Sequence, residues 1–223
     1  MFDHDDLIRR RHDAFVAWLQ ARKAISAEII QGLHAGFTPI RLDAEHVNPD
    51  WEGLPDDRLF AGGYGEDRAI YDGPVFAAGA GEEPRTLHLG IDIFASAGTP
   101  VLAPLAGRLH SFQDNANPKD YGPTLILEHD VTSELTFYTL YGHLSRESLV
   151  GKHVGQDIAA GQHLADLGAR DVNGGWPPHL HFQIILDMGD ALGDFPGVFK
   201  VSQADHAKRL CPDPAPLLGI ASC

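Results

Sequence analysis

Two periodicities divide the chain. Between residues 3 and about 35, Leu7, Phe15, Trp18, Ile25, Ile29 and Leu33 fall roughly on one stripe of a 3.6-residue repeat, which predicts an N-terminal helical extension over residues 1–36. Asp3, Asp5 and Asp6 sit where the positive end of a helix favours carboxylates, and Gly32 or Gly36 would end it. From Arg85 onward the period shortens to two. IDIFA, PVLAPLAGRLHSF, TLILEHD, LTFYTLYGHL, HLADLGA and HLHFQIIL are short, β-branched or aromatic, and punctuated by turn residues. No helix-length segment interrupts them, so residues 85–190 are expected to form a mainly β core, an antiparallel sandwich or open barrel. Residues 37–84 hold no sustained period and carry Pro39, Pro49, Pro55 and Pro74. They read as an irregular wrapping segment with a short helix or two, placed to form a wall of a groove. Residues 191–223 read as a C-terminal arm.

Charge narrows the partners. Seventeen Lys and Arg against 31 Asp and Glu give a formal net charge of −14. That argues against electrostatic binding of nucleic acid and of anionic membrane or wall polymers. The only two cysteines, Cys211 and Cys223, form no CxxC pair, so a cysteine zinc site is excluded; the spacing allows a single bridge between them without implying it, and two free thiols are the simpler expectation. The opening MFDHDDLIRRRHDAF has no uninterrupted apolar stretch of the secretory kind, and no run approaches a membrane span. The chain is therefore expected in the cytoplasm, with no membrane partner.

Histidine is the outlier, with 13 in 223 residues. In HLGID, His88 and Asp92 are four apart, so in an extended chain both face the same side and can address one ion. Gly90 lies between them on that face and leaves room for a metal. In HLH, His179 and His181 share a face while Leu180 points to the core. Two imidazoles side by side on a half-buried strand are costly unless an ion or carboxylate pairs with them. One can ligate while the other stands over a substrate. His143, in YGHLS at a strand end, can approach the same cleft from a neighbouring strand. Three protein ligands with an open position are the pattern of a catalytic zinc site, where water is activated near neutrality and a neutral histidine can shuttle its proton. There is no HExxH, so no glutamate base of that kind is present. His129, at the end of LILEHD, reads as structural, and the remaining histidines as non-ligands.

HLGIDIFASAGTPVLAPLAGRL, YGHLS, VGQDIAAGQHLADLG and PPHLHFQI, in this order over about residues 85–186, resemble the M23 metallopeptidases of the LytM and lysostaphin type. The resemblance implies an antiparallel β-sheet groove with one Zn2+ on its floor. It implies His88, Asp92 and His181 as ligands, with His143 and His179 as the catalytic pair that activates water and stabilises the oxyanion. Family members usually cut peptide cross-bridges of bacterial walls, often at glycyl bonds. A peptide or peptidoglycan-like substrate follows. DYGPTLILEH, FYTLYGHLS and NGGWPPHLHFQI also resemble the M23 modules fused to class III aminotransferases, which implies an intracellular small peptide instead. Trp176, in the NGGWPP loop, and Tyr141, in YGHLS, are expected to contact substrate.

Two other readings compete with a zinc endopeptidase or amidase. A non-catalytic LytM-like binding or regulatory module would have lost ligands, and this chain has lost none. A biotinyl or lipoyl carrier would explain GTPVLAPLAGRL and VGQDIAAGQHLADLG, but neither Lys119 nor Lys152 sits on the tight turn that carries the modified lysine.

Overall fold

A computed structural model describes residues 4–22, 26–43, 45, 53–55, 57–71, 76 and 82–221. Helix α1 covers His4–Ala21. Strands β1 (Thr38–Ile40) and β2 (Phe60–Gly62) precede the main strands β3 (Arg85–His88), β4 (Ile91–Phe94), β5 (Pro100–Leu102), β6 (Gly107–Asn115), β7 (Gly122–Thr132) and β8 (Leu135–Gly142). They are followed by β9 (Asp157–Ile158), β10 (His163–Asp166), β11 (His179–Ile185) and β12 (Val198–Lys200), then the short helices α2 (Ala204–Leu210) and α3 (Ala215–Leu218). The protein is mainly β, with one N-terminal helix.

Eight strands form one sheet in the order β1-β2-β4-β11-β8-β7-β6-β9, antiparallel except for the β1–β2 pair at its edge. Strands β5 and β10 make a second, two-stranded sheet, and β3 and β12 a third. Because side chains alternate across a strand, the large sheet feeds two apolar layers. Leu180, Phe182 and Ile184 of β11 join Leu125, Phe137 and Tyr141 in one cluster. Ile185 joins Ile126, Leu140 and Met188 in the other. Helix α1 spans both, with Phe15 against Phe137 (centroids 5.1 Å) and Ile8 beside Ala207 and Leu210 of α2. No helix among the described residues is long and apolar enough to cross a membrane.

The structure differs from the sequence expectation at two places. The N-terminal helix stops at Ala21 instead of running to about residue 35; Asp3 and Ile25 lie outside the described residues. Residues 26–30 instead pass β5 as a non-helical strap. The Leu102 amide donates to Ile29 O (2.8 Å), Ala27 N to Pro104 O (3.1 Å), and the Ser26 hydroxyl to Leu217 O (2.6 Å). Ile29, Ile30 and Leu33 are buried as the stripe required, but tertiary hydrogen bonds set their backbone. The wrapping segment, in turn, contributes β1 and β2 to the sheet edge, where its turn residues had suggested no strand.

Candidate metal and catalytic site

One transverse row of the sheet builds the site. Register pairs Gly62 of β2 with Asp92 of β4, Asp92 with His181 of β11, and His181 with Gly142 of β8. Side chains therefore fill only the two middle positions. The flanking glycines give up their space to larger neighbours. A Cβ on Gly62 would lie 3.0 Å from Arg68 Nη2, and one on Gly142 would lie 2.6 Å from Tyr121 Cδ1. His179, two residues before His181, stays on the same face and stacks on Phe94 (4.9 Å, 21°). His88 closes the row from the end of β3.

His143 would face the core if β8 simply continued, because it shares parity with Tyr141. It instead takes a left-handed backbone, φ 63°, which reverses its direction. Its amide donates to Tyr121 O (2.8 Å), and that bond holds a conformation unfavourable for a non-glycine residue.

Three donor atoms converge. His88 Nε2 and His181 Nδ1 are 3.0 Å apart, His181 Nδ1 and Asp92 Oδ1 3.0 Å, and His88 Nε2 and Asp92 Oδ1 3.2 Å. Each of these residues is 3 % exposed or less. The outer nitrogens already have acceptors: His181 Nε2–H donates to Gln183 Oε1 (2.9 Å), and His88 Nδ1–H faces Gly63 O (3.4 Å). Those bonds set the tautomers, so both inner nitrogens present lone pairs to a carboxylate oxygen. Three lone pairs at such separations repel unless a cation lies between them. Tetrahedral zinc with ligand bonds near 2.0–2.1 Å spaces its ligands by about 3.3 Å, so the residues fit the ion. Among the described residues this trio alone has the makings of a metal-binding cluster.

Burial depresses the imidazoles. His88 is pushed down to about 3 by burial and then by Arg68. His143 falls well below its ordinary value through burial and the neighbouring His179, and His179 is lowered by burial. Burial would raise the Asp92 carboxyl, but His88 and Arg68 outweigh it and hold it well below the usual carboxylate range.

His143 and His179 stand beside the trio, their rings 4.1 Å apart. His143 Nδ1 donates to Asn173 O (2.9 Å) and His179 Nδ1 to Pro177 O (2.7 Å), which leaves both Nε2 atoms for the cavity. His179 Nε2 is 3.9 Å from Asp92 Oδ1. Trp176 lines the same cavity. Tyr141 does not: it is fully buried, packs on Phe182 (5.3 Å) and lies within hydrogen-bond distance of Thr139 (3.1 Å). The alternation that sends Gly142 to the cavity sends Tyr141 to the core. Gly90 also differs from expectation, for the space it leaves is taken by the His181 ring, which a Cβ would meet at 2.5 Å. His129 lies in the core layer, its Nδ1 on Ala106 O (2.8 Å) and its Nε2 on Thr139 Oγ1 (2.7 Å). Of the thiols, Cys211 is buried and free; Cys223 lies outside the described residues.

Four supporting residues escaped the sequence reading. Gln183 could have been found, since HLHFQ continues the same period of two. Tyr121 packs its ring 5.1 Å from His181 and 5.6 Å from His143. Arg68, 1 % exposed, pairs with Asp92 Oδ2 and with Glu66 Oε2 (2.7 Å), and donates to the Tyr71 hydroxyl (3.1 Å). Nothing in the local pattern around Arg68 and Tyr71 marks them.

Residues 86–192 match peptidase family M23. An uncharacterized metalloprotease of Haemophilus influenzae is 34% identical over 100 residues, which are 45% of this chain and 19% of that protein. The chain thus spans less than a fifth of the length of that relative. Among solved structures, the catalytic domain of the antimicrobial peptidase lysostaphin from Staphylococcus simulans is 25% identical, covering 60% of this chain and 80% of that one at a TM-score of 0.43. A zinc-containing peptidase from Vibrio cholerae is 28% identical, covering 44% and 27% at a TM-score of 0.36. The span that matches peptidase family M23, residues 86–192, holds all five of the clustered histidine and aspartate side chains.

Proposed function

We propose that this protein is a zinc-dependent hydrolase that cleaves a peptide or amide bond. The observation that carries the reading is the convergence of His88 Nε2, His181 Nδ1 and Asp92 Oδ1 at 3.0–3.2 Å, with the outer nitrogen of each imidazole facing an acceptor. These three would hold one zinc ion. When bound, the ion supplies Lewis acidity, which brings water ionisation near neutrality and polarises a carbonyl.

The rest is done by the chain's own imidazoles. With Nδ1–H fixed on a carbonyl, His143 and His179 each offer a basic Nε2 to the cavity. Their rings are too close for both to be charged, so the pair holds one proton at a time. One Nε2 takes the proton of the attacking water, and the protonated imidazole then donates at Nε2 to the developing oxyanion or to the leaving amine. Burial keeps both neutral before the reaction, as a base requires.

A peptide-type substrate, wall-derived or small, is the class this chemistry serves, and the M23 match over residues 86–192 and the metalloprotease relative support it. The test loads the full chain with zinc, counts bound metal by plasma mass spectrometry, and follows a peptide and amide library, including D-residue and glycyl bonds, by mass spectrometry. One zinc per chain and chelator-sensitive cleavage are expected. Metal-free protein after zinc loading would refute the reading. Bound zinc without turnover of any library member would leave a binding module.

A further inference from the structure

Beside the five polar side chains, the same cavity has an apolar corner. Ile70, Tyr71 and Trp176, each partly exposed, line it over the buried side chains of Leu42 and Phe94. Trp176 meets Tyr71 edge-on, with centroids 6.2 Å apart and planes at 86°. Both ends of the corner abut the reacting groups: Phe94 stacks on His179 at 4.9 Å, and Tyr71 lies 6.2 Å from His88. Leu42, Ile70 and Tyr71 all precede residue 86, outside the span shared with the family. The wrapping segment therefore supplies Leu42, Ile70 and Tyr71 to the corner, while Phe94 and Trp176 lie within the matched span.

We propose that this corner is a specificity subsite for a bulky apolar or aromatic side chain next to the cleaved bond, an inference that rests on the hydrolase reading. A carbonyl within reach of His179 Nε2 lies beside rings that Phe94 and Tyr71 adjoin, Phe94 at His179 and Tyr71 at His88, so its neighbouring substituent is directed toward this corner. The rest of the cavity lining mixes the charged Lys119, Asp120 and Asp194 with Phe195, Pro196 and Val198, whereas this corner is uniformly apolar or aromatic. A glycyl residue leaves Ile70, Tyr71 and Trp176 in water, whereas a leucyl or phenylalanyl residue removes them from it. Discrimination by one methylene in an enclosed apolar pocket is about 10- to 200-fold. This corner is open on its solvent side, so a whole leucyl side chain is expected to reach that range.

The experiment uses zinc-loaded full chain and peptides identical except for glycine, leucine, phenylalanine or aspartate beside the cleaved bond. The expected result is kcat/KM at least about tenfold higher for leucine or phenylalanine than for glycine. Trp176→Ala and Ile70→Ser should each shrink that ratio several-fold with one zinc still bound. A glycyl peptide cut as fast as the leucyl one, or a ratio indifferent to both substitutions, overturns the subsite. Calorimetry with glycine hydroxamate and phenylalanine hydroxamate on the same zinc-loaded protein reads the corner without turnover. Tighter binding of the phenylalanine compound in protein that cuts no peptide would sustain the subsite while the hydrolase reading falls. Equal affinity for the two would overturn the subsite, whatever the enzyme cuts.

Discussion

Replacing Arg68 with methionine should damage the protein twice, and the two effects can be measured separately. Arg68 is 1 % exposed and stands between two carboxylates, Asp92 and Glu66, whose side chains are 4% and 9% exposed. Removing the guanidinium leaves both anions buried without their cation, a loss of about 3–5 kcal/mol when one partner of a buried pair is deleted. Against a typical total of about 5–15 kcal/mol, that is a large fraction of the fold's stability. It should be seen in urea unfolding with chelator present, where no metal contributes. The second effect is on the metal. Two opposing forces act: a cation beside a metal site repels the ion, yet it also fixes the orientation of the ligand oxygen. Glu66 neutralises Arg68, which weakens the repulsion, so orientation should dominate. Loss of an outer-shell partner typically costs about 10- to 100-fold in metal affinity. At fixed free zinc that removes about 1.4–2.7 kcal/mol of metal-induced stabilisation. Arg68→Lys should fall between, because one ammonium cannot match the planar fork that spans both carboxylates. Adding Glu66→Gln to Arg68→Met should recover part of the chelated stability by deleting one uncompensated charge. If Arg68→Met unfolds within about 1 kcal/mol of the parent and competes for zinc equally well, the guanidinium is a bystander and the reasoning fails.

Four other outcomes follow from the same geometry. His181→Ala should lose zinc, whereas His179→Ala should keep it and lose turnover; full activity in the His179 variant would remove that imidazole from the mechanism. Gly90→Ala should weaken zinc binding with the sheet intact by circular dichroism, since its Cβ would meet the His181 ring at 2.5 Å; unchanged affinity would mean the ring relaxes freely. His129, pushed down to about 4 by burial, is neutral in the fold while the unfolded chain protonates near 6.5. Its contribution is thus present above pH 6.5 and lost as pH falls towards 4, by about 3 kcal/mol, and His129→Gln should flatten that part of the stability profile. Tyr141→Phe should cost about 1 kcal/mol through the Thr139 contact and leave turnover intact; a collapse of kcat would return Tyr141 to the site.

What was legible in the sequence is what a single strand encodes. His179 and His181 share a face because side chains alternate, and the same rule would have yielded Gln183. His88 and Asp92 are close enough in the chain for their spacing to imply a shared target. The remaining features depend on which strands become neighbours. Gly62, Asp92, His181 and Gly142 form one row only after positions 30 to 89 residues apart have paired, and no local pattern says that two of those positions must be glycine. The same limit explains the helix that ends early. Ile29 and Leu33 keep a helical spacing, but a strap hydrogen-bonded to Leu102 and Leu217 buries the neighbouring residues equally well. Apolar spacing records that a residue is buried; it does not record what covers it. Arg68 is the sharpest case. Its guanidinium occupies the space left by Gly62, satisfies a carboxylate 24 positions away, and comes from a segment whose prolines and glycines look like linker. The wrapping segment and the eight-stranded sheet therefore form one electrostatic unit: the sheet presents Asp92 Oδ1 to the cavity because the wrap holds Oδ2.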